Sequence, residues 1–189
     1  MKSFKMINNY IYLYHVQQFI ILPTFPETIS DSTSVSFEQS TPMSRSAPIY
    51  SYRNSGPRSL QVKLNLHRDL MNDINRDNST LKLQLEDDYV DTLVKQLQAI
   101  ALPNYNSSKK LVDPPQVAVR FGNEIFIKGI VSSDITTDYT LPILRNNKYA
   151  LVSVSFTVSE VDPYNAVNVM RLGSFRGPDA NLERNIWRT

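Results

Sequence analysis

Apolar and polar residues alternate strictly from Leu60 to His67, with Leu60, Val62, Leu64 and Leu66 on one side and Gln61, Lys63, Asn65 and His67 on the other. A period of two predicts a half-buried strand, and Asn54-Ser55-Gly56-Pro57 supplies turn chemistry just ahead of it. Val117, Val119 and Phe121 alternate in the same way, Gly122-Asn123 turns the chain, and Glu124 to Ser132 reads as the hairpin partner. Gly129 within that partner marks a bulge or a close backbone approach. Ala150, Val152, Val154, Phe156 and Val158 form the apolar side of a further long strand, opposite Leu151, Ser153, Ser155 and Thr157. A helical period occurs where Val90, Leu93, Val94, Leu97, Ile100 and Ala101 recur at i, i+3, i+4, i+7, i+10 and i+11. Glu86, Asp87 and Asp88 precede this helix, where they can cap its open amides and face the positive end of its dipole, and Pro103 ends it.

The flanks are less regular. Tyr10 to Tyr14 and Phe19 to Leu22 read as two short strands, whereas residues 23–48 carry Pro23, Pro26, Pro42 and Pro48 among many Ser and Thr. That composition predicts an extended arm with strand pieces such as Val35 to Phe37. Residues 71–80 are rich in Asn and Asp and read as a surface excursion. Asn165 to Thr189 mixes scattered apolar residues with Gly173, Gly177 and Pro178 and reads as a second arm. The expected organisation is an N-terminal arm over residues 1–44, one β-rich core domain over 45–175, and an anchoring tail over 176–189. Its fold class is α+β: a mostly antiparallel sheet or partly open barrel packed on one main amphipathic helix, because strands and helix are each incomplete cores alone.

Composition narrows the function more than the fold. With 189 residues and 41% hydrophobic content, one sizeable core is expected. Lys plus Arg number 20 against 18 Asp plus Glu, interspersed and without a cationic stripe, which argues against nucleic acid as a partner. The chain has no cysteine, removing disulfides, thiolate metal sites and Cys nucleophiles together. Asn8, Asn9, His15, Gln17 and Gln18 interrupt the apolar residues before Leu22, so neither a spanning helix nor a secretion signal is expected there, and no membrane partner.

Candidate chemistry is sparse. Two histidines, His15 and His67, are too few for a histidine metal cage. The acidic groups at Glu86, Asp87, Asp88 and Asp91 are explained by the helix start, and Asp134 with Asp138 lacks the ligand spacing of a calcium loop. No nucleophile elbow, phosphate-binding loop or dinucleotide fingerprint occurs. No enzyme activity, metal, cofactor or small-molecule substrate is therefore expected. Interaction is the remaining reading: Arg45, Arg53, Arg58 and Arg68 flank Tyr50 and Tyr52, a pairing of guanidinium and aromatic groups enriched at protein interfaces. Phe25, Phe37, Phe175 and Trp187, the last followed by Arg188, lie in turn-rich sequence that offers no core of its own. The arms are accordingly expected to become ordered on a neighbouring subunit or partner.

Four segments carry a family resemblance, in order along the chain: Arg45 to Asp69, Pro114-Pro115-Gln116-Val117-Ala118-Val119-Arg120-Phe121-Gly122, Ile127-Lys128-Gly129-Ile130-Val131, and Phe156 to Tyr164. Together, over roughly residues 45 to 175, they resemble the tube-associated domain of contractile injection systems and phage baseplates, a family often joined to a LysM module. The resemblance implies a virion structural protein that adapts tail tube to baseplate hub or wedge, assembled in the host cytoplasm with other tail proteins and with copies of itself in a ring. The segment after residue 175 is too short for a LysM module, so wall binding through one is not expected. The alternative reading within the same virion is a peptidoglycan-binding or hydrolysing protein.

Overall fold

A computed structural model describes residues 9–78, 87–105, 112, 115–162 and 165–170. In chain order the elements are β1 (Asn9–Leu13), β2 (Gln18–Ile21), β3 (Thr28–Ser40), β4 (Ile49–His67), α1 (Arg68–Asn78), α2 (Tyr89–Ala99), β5 (Val117–Phe121), β6 (Ile125–Val131), β7 (Thr136–Ile143), β8 (Tyr149–Glu160) and the short α3 (Ala166–Met170). The strands form one antiparallel sheet in the order β2-β1-β5-β6-β8-β4-β3, with β7 also pairing β8. The predominantly antiparallel sheet with helices thus agrees with the sequence reading.

Strands β6 and β7 share one edge of β8: Val131 opposes Val158 and Thr136 opposes Ser155. Between them the chain leaves the edge, and β6 continues away to pair with β5. Gly129 makes that departure possible, since a Cβ there would collide with the Ser159 carbonyl across the pair. The sheet cannot lie flat. Six inter-strand steps of about 4.8 Å put β2 and β3 roughly 29 Å apart in a flat sheet, yet the link Leu22–Glu27 reaches at most about 25 Å at ~3.3–3.6 Å per residue. Curvature closes the difference and makes a concave face for the helices.

That face carries the main core. Leu60, Val62, Leu64 and Leu66 of β4 and Val152, Val154, Phe156 and Val158 of β8 meet Tyr89, Val90, Leu93, Val94 and Leu97 of α2. Asp88 caps α2, its Oδ1 accepting from Val90 N at 3.0 Å and Asp91 N at 3.4 Å. The same carboxylate and that of Asp91 flank the Arg68 guanidinium, whose Nε donates to the Tyr149 carbonyl at 2.9 Å. Lys148 Nζ reaches Asp91 Oδ2 at 2.7 Å. One buried arginine therefore ties the end of β4, the start of α2 and the start of β8.

Three expectations need correction. The segment 71–80 is not a surface excursion at its start: α1 is helical from Arg68 to Asn78, and Met71 is buried in the core. The Asx-rich composition is a poor helix former, but Arg68 and Met71 dock the element and tertiary context prevails. Gly56-Pro57 does not turn the chain; it lies inside β4 at a register shift opposite Ser34, a bulge, one of the few strand sites that tolerate proline. The largest correction concerns the N-terminal arm. β1 and β2 are strands as read, yet β1 lies within the sheet, paired with β2 on one edge and β5 on the other. Ile11 and Leu13 enter the main core, while Tyr10 and Tyr12 point to the opposite face and pack with Phe19 and Phe126. A strand apolar on both sides needs cover on both faces, which an arm would not provide.

Candidate functional site

Beyond its pairing with β8, which ends at Ser59 opposite Ser159, β4 runs on from Ile49 to Arg58 with β3 as its partner. The result is a two-stranded ribbon extending from the sheet by roughly 30 Å at about 3.3 Å per residue. The register brings Phe37 opposite Tyr52 and Gln39 opposite Tyr50. The rings of Phe37 and Tyr52 meet edge to face, with centroids 5.7 Å apart. Alternation puts Val35, Phe37, Tyr50 and Tyr52 on one side, each more than half exposed. The Tyr52 hydroxyl lies 2.7 Å from Ser55 Oγ, which turns its polar tip back along the ribbon. A two-stranded ribbon is marginal alone in water, and a contiguous apolar stripe is a usual mark of a protein-binding surface.

The ribbon is fixed at its root. Arg58 donates from Nε to both carboxylate oxygens of Asp31, at 2.9 and 3.0 Å, and from Nη2 to Asp31 Oδ2 at 2.7 Å. Its Nη1 donates to the Phe126 carbonyl at 3.1 Å, and Glu160 Oε1 stands 4.0 Å away. Planar, multi-donor geometry of this kind suits arginine and not lysine. The side chain spans from β4 across β8 to β6, so the ribbon leaves the sheet at a defined angle.

The expected interface residues therefore divide. Tyr50, Tyr52 and Phe37 share the exposed ribbon face. Arg53 is exposed on β4, and Arg45 is exposed in the loop joining the two strands. Arg58 is corrected from surface contact to buried anchor, because it faces the acidic pair Asp31 and Glu160. Arg68 is likewise buried. Phe25 is half exposed but belongs to the link between β2 and β3, beside Gly122. Phe175, Trp187 and Arg188 lie outside the described residues, as does the expected tail over 176–189.

Sequence reasoning missed a second apolar surface. Tyr139, Leu141 and Ile143 of β7 and Tyr149 of β8 are exposed, and the rings of Tyr139 and Tyr149 lie 5.7 Å apart. Thr136-Thr137-Asp138-Tyr139-Thr140 is rich in β-branched and aromatic residues, the signal that identifies a strand here.

Among the described residues no group of three or more His, Asp or Glu is placed to hold a metal ion, and no helix is long and apolar enough to cross a membrane. No protein-family model matches the chain, and no curated protein matches it.

Proposed function

We propose that this protein is a structural component of a bacteriophage tail, an adaptor joining the tail tube to the baseplate hub or wedge, which works by assembly and without turnover. The ribbon carries this reading: an anchored, two-stranded projection with Val35, Phe37, Tyr50 and Tyr52 exposed along one side gains most when a neighbour covers it. The family resemblance supplies the setting, with the curled sheet as its partly open barrel and copies of the chain in a ring. The tail over 176–189, with Trp187 and Arg188, would add an anchor on another tail protein. In this reading the protein belongs to the virion and is assembled in the host cytoplasm.

The experiment is localisation combined with a ribbon variant. Tails carrying a C-terminal label, imaged by negative stain, are expected to show it at the junction of tube and baseplate. The double substitution Phe37→Ser and Tyr52→Ser is expected to reduce incorporation at least tenfold while the purified chain stays folded. A label elsewhere on the particle defeats the adaptor assignment, and normal incorporation of the double variant defeats the role of the ribbon.

A further inference from the structure

Two apolar surfaces of the described chain lie bare: the stripe along the ribbon, and the group Tyr139, Leu141, Ile143 and Tyr149 on β7 and β8. They sit at opposite ends of the sheet. β7 opposes Tyr149 to Ser155 of β8, and Ser155 opposes Lys63 of β4. Tyr52 is eleven residues before Lys63, about 36 Å along the strand, so one chain cannot cover one surface with the other. Each surface also borders an open backbone edge. β7 pairs β8 on one edge and no described strand on the other, and β4 loses β8 beyond Ser59, which opens the edge of its outer half. Unpaired edges are templates for a further strand. Charge differs between the two as well: Arg45 and Arg53 outnumber Glu38 along the ribbon, whereas Asp134 and Asp138 outnumber Arg145 around β7, all of them exposed. Among the described residues Arg45, Arg53, Asp134 and Asp138 make no ion pair.

We propose that the ribbon of one copy docks on the β7–β8 surface of a second copy, with the outer half of β4 running beside β7 and the aromatic stripe covering Tyr139 and Leu141. A second copy as occupant deepens the adaptor reading and rests on it in one respect, that the ribbon is a docking element. Two ribbons face to face would bring like charge against like and leave β7 bare. The eight apolar side chains of the two surfaces are between 38% and 68% exposed, about 100 Å² apiece given the area of a large side chain. Docking therefore buries about 800 Å² in all before the backbone edges are counted, at the weak end of specific contacts. Unlike surfaces that meet in this way leave one of each kind free, so the contact repeats and either closes a ring or extends a filament. In a closed ring every chain is held twice, which offsets the weakness of a single contact.

The test is sedimentation velocity on the full chain and on two variants at exposed positions, Tyr52→Asp and Leu141→Asp, with circular dichroism to show that each is folded. The unmodified chain is expected to self-associate as its concentration rises, and each variant alone to associate at least about tenfold more weakly, as for a central interface residue. Mixed in equal amounts, the variants should form a dimer of one chain of each and nothing larger, because Leu141→Asp keeps its ribbon and Tyr52→Asp keeps its β7 surface. If Leu141→Asp associates as the unmodified chain does while Tyr52→Asp does not, ribbons meet ribbons and docking on β7 is wrong. If the mixture or the unmodified chain stays monomeric at every concentration, a second copy is not the occupant. The chain has no cysteine, so Tyr50→Cys and Tyr139→Cys give an independent readout under mild oxidation. Disulfide dimers are expected in their mixture and far fewer in either alone, and equal yields in all three would overturn the docking. The adaptor reading fails separately: a monomeric chain whose label still marks the junction of tube and baseplate sinks self-docking alone, and a mixed dimer with the label elsewhere sinks the adaptor alone.

Discussion

Strand β4 passes through two environments. From Leu60 to Leu66 its alternate side chains are at most 1% exposed, while Tyr50 and Tyr52, alternating just as regularly, are 62% and 61% exposed. β3 pairs with the whole outer half and with the inner half as far as Lys63; what separates them is β8 along the second edge and α2 across the face. The comparison shows that a period of two specifies which side chains share a face, and that burial of that face needs a further layer. It also separates two kinds of large apolar residue in one strand: those that hold the fold and those left for something else to cover.

The largest test of this contrast is Leu64→Ala, which should lower stability by about 2–5 kcal/mol through lost transfer energy and a residual cavity, measured by urea denaturation. Arg58→Ala at the boundary comes next, at about 1.5–3 kcal/mol, since charge-assisted hydrogen bonds are lost and Glu160 keeps its buried carboxylate. Proteolysis should then cut the ribbon first, because its root is no longer held. Asp88→Ala should cost about 0.5–2 kcal/mol through loss of the α2 cap, seen as a lower Tm.

The ionic network beside that cap sets the pH response. Burial pushes the Asp91 carboxyl up, but hydrogen bonds from Lys148 and Arg68 outweigh it and hold the group below its ordinary 3.8. Its stabilising contribution is therefore present above that ordinary value and is lost as pH falls through the lower folded one. For Lys148 the hydrogen bond to Asp91 outweighs burial and holds the ammonium above its ordinary 10.5. That contribution is complete below 10.5 and is lost as pH rises through the higher folded value. Urea midpoints at stepped pH should accordingly form a plateau with a shoulder at each end, and Lys148→Met should remove the alkaline one and shrink the acid one, where Arg68 still holds Asp91 down. Smallest of all, Tyr52→Ala should change the stability of the isolated chain by no more than about 0.5 kcal/mol, as for other exposed sites. A loss comparable to that of Leu64→Ala would mean that the ribbon is packed within the monomer and that the contrast is mistaken.

Legibility along the chain followed the range of the forces involved. Helix α2 was readable because its stripe, its cap at Asp88 and its stop at Pro103 are all local signals. The β5–β6 hairpin was readable because Gly122, with φ at +64°, makes a turn that its own residue type favours. Helix α1 was not, since what holds Arg68 and Met71 comes from Asp88, Asp91 and the distant sheet. Among the candidate interface residues, Tyr50, Tyr52 and Phe37 were found through their composition, but nothing in the sequence separates Arg53 from Arg58. Only the pairing of β3 with β4 puts Asp31 beside Arg58, and only the sheet order brings up Glu160.

Local pattern was enough to decide which residues alternate, where one helix starts and stops, and that the chain carries no cysteine chemistry, because each of these depends on neighbours a few positions away. The tertiary structure decided the rest: that β1 is an interior strand and not an arm, that Gly56-Pro57 is a bulge within β4 and not a turn, and that half of β4 stands clear of the core. Each of these depends on partners far away in sequence, β5 for β1, Ser34 for Gly56 and β8 for β4. Which partners meet is set by burying the most apolar surface while pairing every strand backbone, a condition on the whole chain that no single window contains.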